Sequence, residues 1–313
     1  MTRAAIMDGK ATAAAVRAET AAGVALLKRE RGVIPHLSVI LVGNNPASEV
    51  YVRNKIRACA EAGMTGELLR LDPAAAAVEL IPTIARLNAD GSVHGILLQL
   101  PLPAGLDSRA ALVAISPSKD VDGLHPISAG RLLAGMPGFV PCTPAGIIEI
   151  LKRHNVPFIG REAVVVGRSD IVGKPVAILL LREHSTVTIC HSRTFDLPAV
   201  ARRADILVAA IGRPAFVTRE FIKPGAVVVD VGMNRCESVE AAAGFWPGDA
   251  RRAEEIRTKG STLIGDVHPG DAMETASKFT PVPGGVGPMT IAMLLANTLR
   301  SARMASGIDP ADA

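Results

Sequence analysis

The sequence predicts an α/β protein of two lobes built on mainly parallel sheets. Three observations carry that expectation. The 313 residues exceed one average domain. Short β-branched runs alternate with helical patterns almost throughout, the signature of βαβ units. Aromatic residues make up only 3%, so the core must be built from Ala, Val, Ile and Leu, as where helices pack on a parallel sheet. A hydrophobic fraction of 49% and a charged fraction of 20% exclude a disordered or fibrous chain.

In chain order, a helical pattern over 12–31 precedes strands at 37–42, 67–71 and 93–99, with helices at 47–62 and 74–88 between them. The second half shows strands at 163–166, 186–190, 205–209, 226–230 and 262–264. Helices are expected at 145–154, 174–183 and 197–203, and a last one runs from Pro288, a favourable first-turn proline, to Ala305. The Pro/Gly-rich stretch from Pro126 to Pro144 reads as a stiff hinge, because its prolines restrict it. The polar segment Cys236–Gly260, which holds Trp246, reads as a surface insertion. Contact with a cofactor edge or another subunit is its alternative.

A net charge of +4 without a basic run points away from nucleic acid. Cys59, Cys142, Cys190 and Cys236 lie far apart with no Cys-x-x-Cys, and no two histidines have ligand spacing. Reduced packing thiols and no metal site are therefore expected. The N-terminus lacks a compact apolar block before a cleavage site, and the uncharged run 279–299 is broken by Pro and Gly in its first half. The expectation is a cytoplasmic protein with no membrane partner.

Four stretches carry chemistry. After the strand at 163–166 comes Gly167-Arg168-Ser169-Asp170-Ile171-Val172-Gly173, then a helix. Such a turn lets backbone N–H groups approach a phosphate at a helix N-terminus; an ordinary tight βα turn looks the same. The following strand ends Cys190-His191-Ser192-Arg193-Thr194, with no carboxylate to bond the ribose hydroxyls of NAD. Ser192 and Arg193 suit a 2′-phosphate, so NADP is the expected cofactor; a solvated loop charge is the alternative for Arg193. Tyr51 and Lys55 share one helix face at i, i+4, either as a proton-transfer pair or as a lysine stem packed on a ring. The YxxxK pattern also occurs in short-chain dehydrogenases, but there the glycine turn comes first, and here Tyr51 lies far upstream of it. The last stretches are Gln99-Leu100-Pro101-Leu102-Pro103 with Lys119-Asp120-Val121-Asp122-Gly123, and Pro281-Val282-Pro283-Gly284-Gly285-Val286-Gly287-Pro288-Met289-Thr290.

Taken together with Pro141-Cys142-Thr143-Pro144 and Asp230-Val231-Gly232, these blocks resemble, in order and over nearly the whole chain, the methylenetetrahydrofolate dehydrogenase/methenyltetrahydrofolate cyclohydrolase family. The resemblance implies two α/β lobes flanking a cleft. Residues 1–140 would form the folate-binding catalytic domain, completed by a C-terminal helix over 286–313, and 141–285 a Rossmann-like NADP-binding domain. It implies oxidation of 5,10-methylenetetrahydrofolate with NADP, then hydrolysis to 10-formyltetrahydrofolate, as part of one-carbon metabolism. Lys55 matches the family's essential lysine, Gln99 its partner, Tyr51 the residue packing on folate and Asp122 the pterin-binding carboxylate. A carboxylate at Asp122 can accept from both the amino group and a ring N–H of a pterin. Gly167, Arg168 and Ser169 match the phosphate turn and Ser192 an adenosine-ribose contact. Met233 stands where relatives carry Ile at the nicotinamide end, and Pro283, Gly284 and Gly285 would lie beside the folate. A homodimer is implied as well. The alternatives are a shikimate-dehydrogenase-type oxidoreductase, a monofunctional methylenetetrahydrofolate dehydrogenase, and a non-catalytic binding protein.

Overall fold

A computed structural model describes residues 3–246 and 248–308; the end of the expected C-terminal helix segment, 309–313, lies outside them. In chain order the elements are β1 (Ala5–Ile6), α1 (Gly9–Arg31), β2 (His36–Val42), α2 (Pro46–Glu61), β3 (Thr65–Leu71), α3 (Pro73–Ala89), β4 (Gly95–Leu98), α4 (Ser108–Ala114), α5 (Pro126–Leu133) and α6 (Cys142–Arg153). There follow β5 (Glu162–Val166), α7 (Gly173–Arg182), β6 (Thr186–Cys190), α8 (Leu197–Ala201), β7 (Ile206–Ala209), β8 (Val227–Asp230), β9 (Asn234–Cys236), α9 (Val239–Phe245), α10 (Ala250–Lys259), β10 (Thr262–Ile264), α11 (Pro269–Thr275), β11 (Lys278–Phe279) and α12 (Val286–Ala305).

The chain divides into two compact units. The first comprises residues 13–142 and 291–313. Its parallel sheet has the order β3-β2-β4. The central strand β2 is buried from Leu37 to Val42 and β4 throughout, which is why both are continuous apolar runs. At the edge, β3 alternates over its second half, with Leu68 and Arg70 exposed and Leu69 and Leu71 turned inward. Leu294, Leu295 and Leu299 of α12 enter the same core as Val39, Val52 and Leu97.

The second unit comprises residues 1–12 and 143–290 and holds a six-stranded parallel sheet of order β1-β11-β8-β7-β5-β6. From β5 the chain runs outward to β6, then crosses back to β7 on the other side. The reversal of winding falls at β5, and a crevice for ligands forms outside the carboxyl ends of strands at such a point.

The structure gives several of the expected segments a definite form. The proline-rich stretch is largely built structure: Pro126 opens α5 and His125 caps it, accepting from the Ile127 amide at 2.9 Å. Proline costs nothing at a first helical turn, because that N–H has no intrahelical acceptor. The segment after Cys236 is a folded subunit of structure. Its ribbon β9–β10 is antiparallel, and Cys236, Ala242, Ile256 and Ile264 form a small core with Phe245 and Trp246 against them. Strands β1, β9 and β11 escaped the sequence reading because two or three residues carry no period; only their pairing partners define them. Among the described residues no helix is long and apolar enough to cross a membrane.

Candidate active site

In the first unit the site grows from the carboxyl ends of β2 and β4. Asn45 Oδ1 accepts the Ser48 amide at 3.2 Å at the head of α2, which carries Tyr51 and Lys55 one turn apart. Gln99 follows β4, its amide still donating to Ile40 O at 2.9 Å. Its side-chain Nε2 donates to Leu100 O at 2.6 Å, so Oε1 is turned to accept from Lys55 Nζ at 3.0 Å. The predicted Lys55–Gln99 pair is therefore formed. Tyr51 remains 40% exposed.

The DVDG block separates into two roles. Lys119 Nζ donates to the carbonyls of Leu87 and Asn88, both at 2.9 Å, and of Asp90 at 2.6 Å, closing the end of α3. Asp120 is buried and accepts from the amides of Leu124 (3.0 Å) and His125 (2.9 Å) and from Ser128 Oγ (2.6 Å). These two residues hold the loop. Asp122 faces Lys55 and Cys142 and acts on both electrostatically. Burial lowers the Lys55 pKa; the Asp122 charge pulls it back only in part. The Cys142 thiol is pushed well above its ordinary value, by burial first and then by Asp122.

Two contributors here were given no site role from the sequence. Cys142 was expected only to pack. Asn297, a buried amide on α12, donates to Val121 O at 2.8 Å and Val140 O at 3.3 Å and props the loop that carries Asp122. A lone amide in the long uncharged run was the available signal.

In the second unit, Gly167 follows β5 with φ +136°, and a Cβ there would lie 2.1 Å from Ala210 O. Only glycine fits. Gly173 is pressed equally closely on Gly167 O. Ser169 Oγ accepts the amides of Val172 and Gly173, both at 3.2 Å, which leaves its hydroxyl hydrogen to donate outward. Because Val166 pairs with Cys190, the Gly167–Ser169 turn and the Ser192–Arg193 turn leave adjacent strand ends. In the latter, His191 N donates to Thr194 Oγ1 (2.9 Å) and Arg193 N to His191 Nδ1 (3.1 Å). The Ser192 and Arg193 side chains stand in solvent, as does Arg168. The cradle suits a phosphorylated dinucleotide: close backbone, an outward hydroxyl, two guanidinium groups and no carboxylate at the end of β6.

Beyond β8, Asp230 accepts from the amides of Gly232 (2.9 Å), Asp266 (2.8 Å) and Val267 (3.0 Å). Burial lifts its pKa to about 7 against those three bonds, with the Asp266 charge adding to the rise. Asp266 accepts from the amides of Ile211 (2.6 Å), Gly212 (2.9 Å) and Arg213 (2.9 Å) and from Asn234 Nδ2 (2.9 Å). These buried carboxylates lace together the loops after β7, β8 and β10. Met233 follows, 49% exposed, with its sulfur near Gly287.

The Pro281–Gly287 loop, with Pro283, Gly284 and Gly285, is pinned at both ends. Gly285 N donates to Pro281 O at 2.7 Å, and Lys10 N to Gly284 O at 3.1 Å. His125 and His268 are helix caps; His268 accepts from the Asp271 amide at 3.2 Å.

Comparison with known proteins decides the family. The model described as tetrahydrofolate dehydrogenase/cyclohydrolase, catalytic domain, matches residues 7–122, and its NAD(P)-binding domain counterpart matches 141–306. The chain belongs to the tetrahydrofolate dehydrogenase/cyclohydrolase family. A Koribacter versatilis relative named bifunctional protein FolD is 54% identical over 302 residues, 96% of this chain and 98% of its own. The Campylobacter jejuni bifunctional FolD structure superposes with a TM-score of 0.86 at 42% identity, covering 96% of this chain and 98% of its own. The Trypanosoma brucei FolD, complexed with NADP cofactor and inhibitor, gives 0.87 at 39% identity, covering 97% and 99%. This family member thus carries both a catalytic and an NAD(P)-binding domain, and the shikimate-type alternative falls away.

Proposed function

We propose that the protein is a bifunctional enzyme that oxidises 5,10-methylenetetrahydrofolate with NADP and hydrolyses the methenyl product to 10-formyltetrahydrofolate. The observation that carries this reading is the Lys55–Gln99 bond, with the lysine's pKa depressed beside Asp122. A binding protein has no need of such a pair. The family membership and the relatives' titles support the same assignment.

Asp122 binds the pterin through its amino group and ring N–H, and Tyr51 packs on the ring. Pro283, Gly284 and Gly285 border the folate. Gly167, Arg168 and Ser169 hold the dinucleotide phosphates, Ser192 and Arg193 the 2′-phosphate end, and the Met233 backbone the nicotinamide end. NADP⁺ bound by these residues would supply the acceptor for the hydride of the methylene carbon. That step asks the protein chiefly for placement, because the folate nitrogens stabilise the positive charge left behind. Hydrolysis asks for more. Water adds to the methenyl carbon and loses a proton, then one C–N bond breaks and that nitrogen takes up a proton. Lys55 stands where an amine can serve these transfers, held in place by Gln99 Oε1.

The folate-binding domain takes in residues 13–140 with the C-terminal helix, and the NADP-binding domain 141–285 together with the N-terminal strand β1. The enzyme is a cytoplasmic homodimer; four buried cysteines, none in a disulfide, suit a reducing compartment. The test is product identification with 5,10-methylenetetrahydrofolate and NADP⁺, corrected for spontaneous hydrolysis. NADPH with accelerated 10-formyl product is expected. NADPH with methenyl product alone would leave a monofunctional dehydrogenase, and no turnover would overturn the reading.

A further inference from the structure

The folded segment after Cys236 reaches back to the substrate loop through one side chain. Arg252, on α10, donates from Nη2 to Val282 O at 3.1 Å and from Nη1 to Thr262 Oγ1 at 2.9 Å. Its guanidinium lies 4.5 Å from the centre of the Trp246 ring, and its side chain is only 16% exposed. Glu255 Oε2 accepts from Thr262 Oγ1 at 2.6 Å and pairs with Arg252 at 3.7 Å. The arginine is therefore held by a hydroxyl, the Leu263 carbonyl at 3.4 Å, a carboxylate and an indole face, all supplied by this segment and its flanking strand, and Nη2 is turned to the loop.

That donor falls where the loop has few other handles. Pro281 and Pro283 have no N–H, so the Val282–Pro283 peptide can be fixed only through its carbonyl. The neighbouring carbonyls of Pro281 and Gly284 are already taken by Gly285 N and Lys10 N. Arg252 supplies the third anchor, and it is charge-assisted. We propose that Arg252 is a positioning residue for folate: it orients the Val282–Pro283 peptide and so the Pro283–Gly285 edge against which the substrate lies. The inference rests on the folate reading above and extends it to a segment assigned no role there.

The experiment compares Arg252→Ala and Arg252→Lys with Arg251→Ala, a control on the same helix whose side chain is 89% exposed and bonds only within its own turn to Asp249. Steady-state oxidation of 5,10-methylenetetrahydrofolate is measured against both substrates, with thermal melting alongside. Arg252→Ala is expected to raise KM for the folate by about tenfold or more, the equivalent of one lost charge-assisted hydrogen bond. KM for NADP⁺ should stay within about twofold on the same scale. Arg252→Lys should fall between, since lysine keeps a donor and loses the fork. Added guanidinium ion should recover part of the Arg252→Ala loss, which a general loosening of the fold would not permit. Arg251→Ala should match the wild type. An unchanged folate KM, an equal rise for both substrates, or no recovery by guanidinium in an active wild-type background would overturn the positioning role alone. An inactive wild type would overturn the folate reading on which it rests.

Discussion

Replacing Lys55 by Met separates the two activities. The thioether chain has similar length and fills the same channel along α2, so the packing around Val52 and Cys59 is kept. What is lost is the Nζ–Oε1 bond to Gln99 and the amine beside Asp122. Stability should barely move, because two effects of about 1–2 kcal/mol oppose each other: Gln99 Oε1 loses a donor, while the cost of burying an ammonium disappears. Catalysis should divide. Loss of positioned proton transfer costs hydrolysis about 10²–10⁴-fold. Hydride transfer depends on placement by Asp122 and the loop rather than on the amine, and should fall by less than about tenfold. The assay follows methenyl consumption to 10-formyl product and NADPH formation separately in the same preparation, with melting as a control for folding. Equal loss of both activities would refute this division of labour.

Three further outcomes follow from the geometry. Asp122→Asn removes the charge that raises the Lys55 pKa, so the Lys55 limb of the pH–hydrolysis profile should move to lower pH, with a rise in folate KM; a limb moving to higher pH would contradict the placement of Asp122 beside Lys55. Gly265→Ala would put a Cβ 1.7 Å from Asp230 Oδ2, and forcing that carboxylate off its amides should cost about 3 kcal/mol or more in urea unfolding; a loss under about 1 kcal/mol would show that the loops can shift freely. Arg193→Ala should raise KM for NADP⁺ by roughly tenfold or more while leaving NAD⁺ within about twofold, and equal effects on both cofactors would remove Arg193 from the 2′-phosphate site.

The elements that the sequence revealed best are those whose signal is local. Strands β2, β4, β5 and β8 are apolar runs because both faces are buried, and α2, α3 and α7 show helical periods with clear breaks. The site residues Lys55, Gln99, Asp122 and the Gly167–Ser169 turn stood out because they sit in motifs with turn chemistry or fixed spacing. Asp120 and Asp122 look alike in the sequence. Only the Leu124, His125 and Ser128 donors show that the first belongs to the loop's frame.

Taken alone, the sequence determined the alternating α/β plan, the absence of a carboxylate at the end of β6 and the residue types of the proposed chemistry. Each of these depends on residues close together in the chain. The tertiary structure decided the rest. Residues 1–12 join the second unit through β1, because two residues gain sheet bonds only from β11. Cys142 and Asn297 come beside the Asp122 loop, and Asp230 accepts the Asp266 amide across distant strand ends. The polar segment after Cys236 folds over Trp246 and delivers Arg252 to Val282. Apart from Trp246 and Arg252, which are close in the chain, the partners lie tens of residues away, and a hydrogen bond or a buried contact between distant segments leaves no periodic trace in either.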